Sequence, residues 1–215
     1  MSMRKTLVFD FDGTLVDSAP GILRAFSETL REAGIKPSAP LDTNLIGPPL
    51  LETLTRLSGS NDTALLQSLT ERFKRHYDHT GVSTTSAYPG IETMLAHFAA
   101  AGVTMHISTN KRYSVTHAIL ENLGWKDRFV SVYALDMVEP RLPGKAQLLA
   151  KQISELGLAA DTTVYVGDKR EDGEAASANS LMFYYAAWGY GDLRQEQLAT
   201  GWNWLNQPHE LRITS

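Results

Sequence analysis

Acidic side chains stand at the ends of two short apolar segments of the sequence. Asp10 and Asp12 end the first of these segments, and Asp168 and Asp172 end a later one. Residues two apart on an extended chain point the same way, so Asp10 and Asp12 can act on one group. Two carboxylates held close together either keep a proton or share a cation. The same spacing is also typical of strand-end turns, in which Asp and Gly are common.

Small polar side chains end a third apolar segment. Ser108, Thr109 and Asn110 can donate hydrogen bonds to an anion. Carboxylate oxygens suit Mg²⁺, which usually keeps water and substrate phosphate in its shell. Zinc would more often use histidine or cysteine, but the chain has no cysteine and its six histidines are scattered. The three segments together indicate a hard-cation site beside a cradle for an oxyanion.

Short apolar segments alternate with helical patterns over much of the chain. We predict strands at residues 6–9, 103–107, 163–166 and 181–186. We predict helices at residues 91–101, 114–123 and 145–156, each followed by a glycine that ends it. The alternation predicts an α/β fold with a Rossmann-like parallel sheet. In such a sheet, ligands bind beyond the carboxyl ends of the strands, where the acidic residues stand.

The segment between the first and second predicted strands has a different pattern. Apolar residues recur at helical spacing from Ile22 and again from Leu65, with a turn at Gly47-Pro48-Pro49 between them. No convincing strand pattern occurs in this stretch of the sequence. We therefore predict an all-helical cap domain at residues 18–85, inserted into an α/β catalytic core of residues 1–17 and 86–215.

Composition excludes several classes of function. Apolar residues make up 43% and charged residues 20% of the chain, as in ordinary globular proteins. The chain has no apolar run of bilayer length, no signal-peptide core near its start and no cysteine, so we expect a cytoplasmic protein without a membrane partner. A net charge of −4 gives no general attraction to nucleic acid. Positive charge for an anionic substrate must therefore be local.

Several motifs resemble those of the haloacid dehalogenase-like hydrolase superfamily. Asp10-x-Asp12-Gly13-Thr14-Leu15 resembles its first motif, Thr109-Asn110-Lys111 its second, and Gly167-Asp168-x-x-x-Asp172 its fourth. Tyr88-Pro89-Gly90 and Trp188-Gly189-Tyr190-Gly191 are similar to features of its phosphoglycolate phosphatase-like branch. The resemblance covers nearly the whole chain, with the motifs in order.

The resemblance implies a role for each acidic residue. Asp10 is the expected nucleophile, which forms an aspartyl-phosphate that water then hydrolyses. Asp12 is the expected general acid and then general base. The carboxylates of Asp10 and Asp168 and the backbone carbonyl of Asp12 are the expected Mg²⁺ ligands. Asp172 is expected to orient the metal shell, or is simply an acid favoured at a helix N-terminus.

The resemblance also assigns the phosphate-binding groups, and here the sequence departs from the family pattern. Thr109 and Asn110 are expected to bind the phosphoryl group. Relatives often carry a Lys-Pro-x-Pro stretch as the third motif, but Glu139 stands where its lysine would align. Lys145 is the first candidate for the missing charge and Arg141 the second, while a solvated lysine near a helix start is the alternative for Lys145.

Other polar residues near these motifs have weaker assignments. Asp17 and Ser18 are expected to cap the following helix. Lys111 and Arg112 either flank the entrance to the site or have no part in it. Lys169 is expected to point into solvent.

The resemblance predicts a magnesium-dependent phosphatase of a small phosphorylated metabolite, phosphoglycolate phosphatase-like, acting as a monomer or homodimer. Asp12 argues against a dehalogenase, which needs no acid at this position. A phosphomutase would carry a histidine after the first motif, where this chain has Ile22 or its neighbours. A silent phosphate-binding or partner-binding module stays open because of the irregular third motif. The substrate stays open among phosphoglycolate, sugar phosphates, nucleotide monophosphates and pyrophosphate.

Overall fold

The computed structural model of the protein describes residues 5–140 and 142–213, apart from the side chain of His79. The chain divides into two compact units. The core unit contains the residues up to Asp17 and those from Ala87 onward, and the helical unit is Ser18–Ser86. Over the two described ranges, none of the helices has both the length and the apolar character that crossing a bilayer requires.

The elements are numbered along the chain. The strands are β1 (Thr6–Phe9), β2 (Val16–Asp17), β3 (Ser86–Ala87), β4 (Thr104–Thr109), β5 (Ser131–Ala134), β6 (Thr163–Gly167), β7 (Met182–Ala186) and β8 (Trp202–Leu205). The helices are α1 (Ala19–Glu32), α2 (Leu50–Ser58), α3 (Thr63–Thr84), α4 (Ile91–Ala100), α5 (Tyr113–Asn122), α6 (Lys145–Leu156) and α7 (Arg170–Ala178). The four predicted strands correspond to β1, β4, β6 and β7, whereas the sequence patterns do not predict β5 and β8.

Six strands form one parallel sheet in the order β5-β4-β1-β6-β7-β8, which confirms the predicted α/β fold. Strand β1 lies between β4 and β6, and Phe9 is in register with Ile107 of β4 and Val166 of β6. Every residue of β1 and of β6 is buried, as expected for strands covered on both faces. The register places the carboxyl ends of these three strands side by side.

Two helices pack against the sheet beside those strand ends. Leu149 of α6 and Ala176 of α7 belong to one buried cluster with Val8, Tyr165 and Phe183 of the sheet. Burial of apolar side chains is the main favourable contribution to the packing of a helix against a sheet. It fixes α6 and α7 against the strands whose ends carry the polar residues.

The helical unit consists of α1, α2 and α3 with their connections. Helix α1 packs on α3, and the rings of Phe26 and Phe73 lie 4.5 Å apart between centroids. Asp62 caps α3, because its side chain accepts a hydrogen bond of 2.7 Å from the backbone N–H of Leu65. Aromatic packing and a capped start explain why this stretch is helical.

Candidate active site

Three strand ends bring the predicted residues to one edge of the sheet. Asp10 directly follows β1, Thr109 is the last residue of β4, and Asp168 directly follows β6. The backbone N–H of Asp10 donates to the carbonyl of Val166 at 2.9 Å, so the pairing with β6 continues one residue beyond β1. Asp10 therefore enters the site from the central strand of the sheet, in a fixed backbone position.

A cluster of buried carboxylates forms at this edge. Asp10, Asp168 and Asp172 each offer one oxygen, and these three oxygens lie within 4.8 Å of one another. Burial raises the pKa of Asp10 well above its ordinary value, and the charges of Asp172 and Asp168 raise it further. Burial, followed by the charge of Asp172, raises the pKa of Asp168 to about 7. Such a cluster is costly to ionise unless a cation shares it.

Lys145 provides part of that positive charge. Its Nζ lies 2.9 Å from Oδ1 of Asp10 and 2.5 Å from Oδ1 of Asp172, and its side chain is 3% exposed. Burial alone would lower the pKa of Lys145, but the Asp10 and Asp172 carboxylates outweigh burial and hold it well above its ordinary value. The alternative of a solvated lysine is therefore wrong, because the ammonium group is buried and contacts Asp10, the expected nucleophile.

Asp172 connects the start of α7 to this lysine. Its Oδ2 accepts a hydrogen bond of 2.9 Å from the backbone N–H of Lys169, which satisfies a free donor at the helix start. Its Oδ1 accepts hydrogen bonds from Lys145 and from the hydroxyl of Tyr165 at 3.2 Å. Asp172 thus accepts two hydrogen bonds at Oδ1 and one at Oδ2, which leaves less lone-pair capacity than one bond at each oxygen would. The geometry fits a carboxylate that orients Lys145 better than a direct metal ligand.

Asp168 lies in a cradle of backbone and hydroxyl donors. The hydroxyl of Thr14 donates to its Oδ1 at 3.2 Å, and the backbone N–H of Tyr190 donates to its Oδ2 at 2.8 Å. A Cβ atom at Gly13 or Gly189 would overlap the Asp168 side chain. Gly13 also has a φ of +88°, which favours glycine. The carboxylate of Asp168 is therefore held in one orientation.

Asp12 lies against a lysine whose role sequence reasoning left open. The Nζ of Lys111 is 3.0 Å and 3.1 Å from the two carboxylate oxygens of Asp12. The backbone N–H of Lys111 donates to the hydroxyl oxygen of Thr109 at 3.1 Å, which leaves the hydroxyl hydrogen of Thr109 for an anion. Asn110 stands between them in the sequence. The sequence signal for Lys111 is its place in the Thr109-Asn110-Lys111 motif, which does not indicate its contact with Asp12.

Several weaker expectations have a different outcome. Arg141, the second candidate for the third-motif charge, lies outside the described residues. The expectation that Lys169 points into solvent is wrong, because it is half-buried and its Nζ donates to the carbonyl of Tyr190 at 3.0 Å. Ser18 occupies the cap position of α1, but its side chain makes no capping hydrogen bond. Asp17 instead accepts a hydrogen bond of 2.8 Å from the hydroxyl of Tyr190.

The donor set fits a divalent cation of the magnesium type. Lys145 contacts Oδ1 of Asp10, and the carboxylate keeps lone-pair capacity for a metal. Each oxygen of Asp168 accepts one hydrogen bond and keeps lone-pair capacity. All of these donors are oxygens, which favours Mg²⁺ over zinc.

Comparison with known proteins assigns the chain to a family. Residues 7–185 match the family model of haloacid dehalogenase-like hydrolases. A phosphoglycolate phosphatase of Cereibacter sphaeroides is 34% identical over 189 residues, which are 86% of this chain and 85% of that protein. The tyrosine-protein kinase PtkA of Mycobacterium tuberculosis is 32% identical over 186 residues, which are 86% of this chain but 62% of the kinase.

A solved structure agrees with that assignment over nearly the full length. A haloacid dehalogenase-like hydrolase of Streptococcus pneumoniae superimposes with a TM-score of 0.82 at 25% identity, covering 98% of this chain and 97% of that one. The chain belongs to the haloacid dehalogenase-like hydrolase family.

Proposed function

We propose that this protein is a magnesium-dependent phosphatase that hydrolyses a small phosphorylated metabolite through an aspartyl-phosphate on Asp10. The observation that carries the proposal is the contact between Lys145 and one oxygen of Asp10. This contact lies at the carboxyl end of the central strand β1, beside Asp168. The family match and the phosphoglycolate phosphatase relatives support a phosphatase.

The reaction proceeds in two displacements at phosphorus. In the first, a carboxylate oxygen of Asp10 attacks phosphorus, the bond from phosphorus to the ester oxygen breaks, and Asp12 gives that oxygen a proton. In the second, water attacks phosphorus, Asp12 accepts a proton from the water, and the bond to Asp10 breaks. Inorganic phosphate leaves, and both aspartates return to their starting states.

The protein supplies positive charge and hydrogen-bond donors for the phosphoryl group. Lys145 is the proposed contact for an oxygen of the group, and its contact with Asp10 supports this role. The hydroxyl of Thr109 and the amide of Asn110 are the proposed donors at the adjacent strand end. Because these groups are buried or half-buried, their interaction with an anion is stronger than it would be in water.

The carboxylates of Asp10 and Asp168 and the carbonyl of Asp12 would hold Mg²⁺. When bound, the ion screens the repulsion between the anionic nucleophile and the anionic phosphate and aligns the two. Asp168 is suited to this role because its cradle fixes the carboxylate orientation. Asp172 supports the site by orienting Lys145.

The substrate proposed is a small phosphate ester, with phosphoglycolate as the first candidate from the named relatives. The chain would act in the cytoplasm as a monomer or homodimer. A phosphomutase uses the same core residues but passes the phosphoryl group to a second substrate, so release of inorganic phosphate separates the two. Because PtkA is named a tyrosine-protein kinase, ATP and a phosphotyrosine peptide belong in the substrate panel.

The test is release of inorganic phosphate from a panel of phosphate esters, with and without Mg²⁺. We expect Asp10→Asn to lower kcat by roughly a thousand-fold or more, because an amide oxygen is a poor nucleophile. The fold should persist by circular dichroism, since asparagine has nearly the same shape. The control Asp136→Asn changes an exposed aspartate of the core unit and should keep wild-type activity. Normal turnover in Asp10→Asn, or full activity after metal removal, would contradict the proposal.

A further inference from the structure

Lys111 has a charge that the proposed chemistry does not use. Its side chain is 6% exposed, and its ammonium group lies within hydrogen-bond distance of both oxygens of Asp12. Lys145 already supplies the charge next to the nucleophile. A buried ammonium group is costly unless an anion accompanies it. Asp12 is that anion in the free protein, but Asp12 is protonated when it acts as general acid, so Lys111 then requires another anionic partner.

The proposed reaction fixes which side of the substrate Lys111 faces. Asp12 must come within hydrogen-bond distance of the ester oxygen in order to protonate it. The Nζ of Lys111 donates to the same carboxylate, at 3.0 Å and 3.1 Å from its two oxygens. Two consecutive hydrogen bonds place the ammonium group within about 6 Å of the leaving oxygen. Under the proposed reaction, Lys111 thus lies on the side of the leaving group.

Few groups of a small substrate can reach that position. An anionic group attached one carbon from the ester oxygen falls inside this distance, whereas the far end of a large leaving group does not. A carboxylate there offers Lys111 the same kind of charged hydrogen bond that Asp12 offers. The exchange would keep the ammonium group paired and free Asp12 to contact the ester oxygen. A neutral leaving group provides no such partner.

We propose that Lys111 determines substrate specificity by binding a carboxylate of the leaving group, so that phosphate esters of short 2-hydroxy acids are preferred. This inference rests on the proposed phosphatase function, because the direction of attack defines the side of the leaving group. It adds a recognition residue, Lys111, to that function, and phosphoglycolate, the first candidate above, has the carboxylate that this residue would bind.

The test compares two esters of similar size in the full-length protein with Mg²⁺. One is 2-phosphoglycolate, which has the carboxylate, and the other is 2-hydroxyethyl phosphate, which has a neutral hydroxyl there. We expect Lys111→Gln to lower the ratio of their kcat/KM values by about ten- to hundred-fold, as loss of a charged hydrogen bond predicts. Lys111→Arg should restore part of the ratio, and Lys111→Glu should shift preference toward phosphoethanolamine.

Lys169→Gln is the matched control. Lys169 lies near the carboxyl end of β6, but its Nζ donates to the carbonyl of Tyr190 and not to Asp12. The ratio of kcat/KM values should therefore stay at the wild-type value in this variant. An equal fall for both esters in Lys111→Gln would mean that Lys111 acts only through Asp12 or on the phosphoryl group, and would overturn the proposal.

A binding measurement keeps the inference testable even if no ester is hydrolysed. In 3-phosphonopropionate a methylene replaces the ester oxygen and the carboxylate remains, whereas propylphosphonate has no carboxylate. Calorimetric titration should show tighter binding of the first compound to the wild type and loss of that difference in Lys111→Gln. Equal affinity of both compounds for the wild type would overturn the inference. Absence of turnover with a carboxylate preference in binding would overturn only the phosphatase proposal.

Discussion

Asp10 must remain an ionised nucleophile while it is buried among other acids. Burial raises its pKa well above the ordinary value, and Asp172 and Asp168 raise it further, while the charge of Lys145 opposes them. A divalent cation at these carboxylates would add the positive charge that favours the ionised form. The proposed metal requirement and the reactivity of the nucleophile are therefore linked at this residue.

The pKa of Asp168 predicts how metal binding depends on pH. Below its pKa of about 7 the carboxyl group holds a proton, and a bound cation must displace that proton. Affinity for Mg²⁺ should therefore rise as pH increases through 7, and binding should release protons. The raised pKa of Asp10 acts in the same direction. Calorimetric titration of Mg²⁺ in buffers of different ionisation enthalpy measures both effects.

Asp168→Asn serves as the comparison for this titration. The amide removes the group whose protonation competes with the metal, so affinity should fall and its pH dependence should weaken. An affinity for Mg²⁺ that stays constant from about pH 6 to pH 8 in the wild type would show that these carboxyl groups do not hold the ion.

Single residues of the site differ in how far sequence could predict them. Asp10 and Asp168 follow apolar strands, so their meeting follows from the rule that ligands bind at strand ends. The sequence predicts Lys145 as a candidate because it is the first residue of a helix whose end at Gly157 the sequence also predicts. The pair of Lys111 with Asp12 joins positions 99 residues apart, and no local pattern encodes which carboxylate a lysine will meet.

At the scale of elements, the turn after β1 and the turn after β7 form the cradle of Asp168. Gly13 belongs to the first turn, and Gly189 and Tyr190 belong to the second. Side chains larger than hydrogen at either glycine would overlap Asp168. The two turns therefore act together to position the carboxylate of Asp168, a proposed metal ligand.

The cradle predicts an effect of Gly13→Ala on metal binding. The new Cβ would displace the Asp168 carboxylate, so we expect affinity for Mg²⁺ to fall at least about ten-fold, the equivalent of one lost hydrogen bond to a charged group. The positive φ should also cost about 1–2 kcal/mol of unfolding free energy. Titration of Mg²⁺ and urea denaturation measure the two effects separately.

Gly102→Ala separates strain from displacement. Gly102 has a φ of +70°, close to that of Gly13, but a Cβ there meets nothing within 4 Å. This variant should lose only the unfolding free energy that the positive φ costs, about 1–2 kcal/mol, while it binds Mg²⁺ with wild-type affinity. Equal metal affinity in both variants would contradict the proposed function of the cradle.

The predictability of elements follows their burial. Strands β1, β6 and β7 lie inside the sheet and are nearly continuous apolar runs that sequence patterns detect, whereas the interior strand β4 alternates polar residues with Met105 and Ile107. Strands β5 and β8 form the edges, and they include the half-buried residues Ser131, Tyr133 and Asn203, which break any apolar run. Helix α7 packs through Ala175 and Ala176, and such small residues give a weak helical pattern.

At the scale of the whole molecule, the net charge differs in sign from the charge of the two lysines at the candidate site. The net charge is −4, so the protein has no overall attraction for an anionic ester. Lys111 and Lys145 supply local positive charge at one end of the sheet, each paired with an aspartate. The aspartates keep these lysines compensated until a substrate binds. This arrangement is consistent with a site that takes a small anion and a metal ion together.

The central claim is that the phosphoryl group passes through Asp10, and trapping it there is the most direct test. The wild-type protein would be quenched with acid during turnover of its best ester, then treated with borohydride, which reduces an aspartyl-phosphate to homoserine. Peptide mass spectrometry should find homoserine at position 10, only when substrate and Mg²⁺ are both present. Unmodified Asp10 under conditions of rapid turnover, or homoserine at another aspartate, would contradict the account.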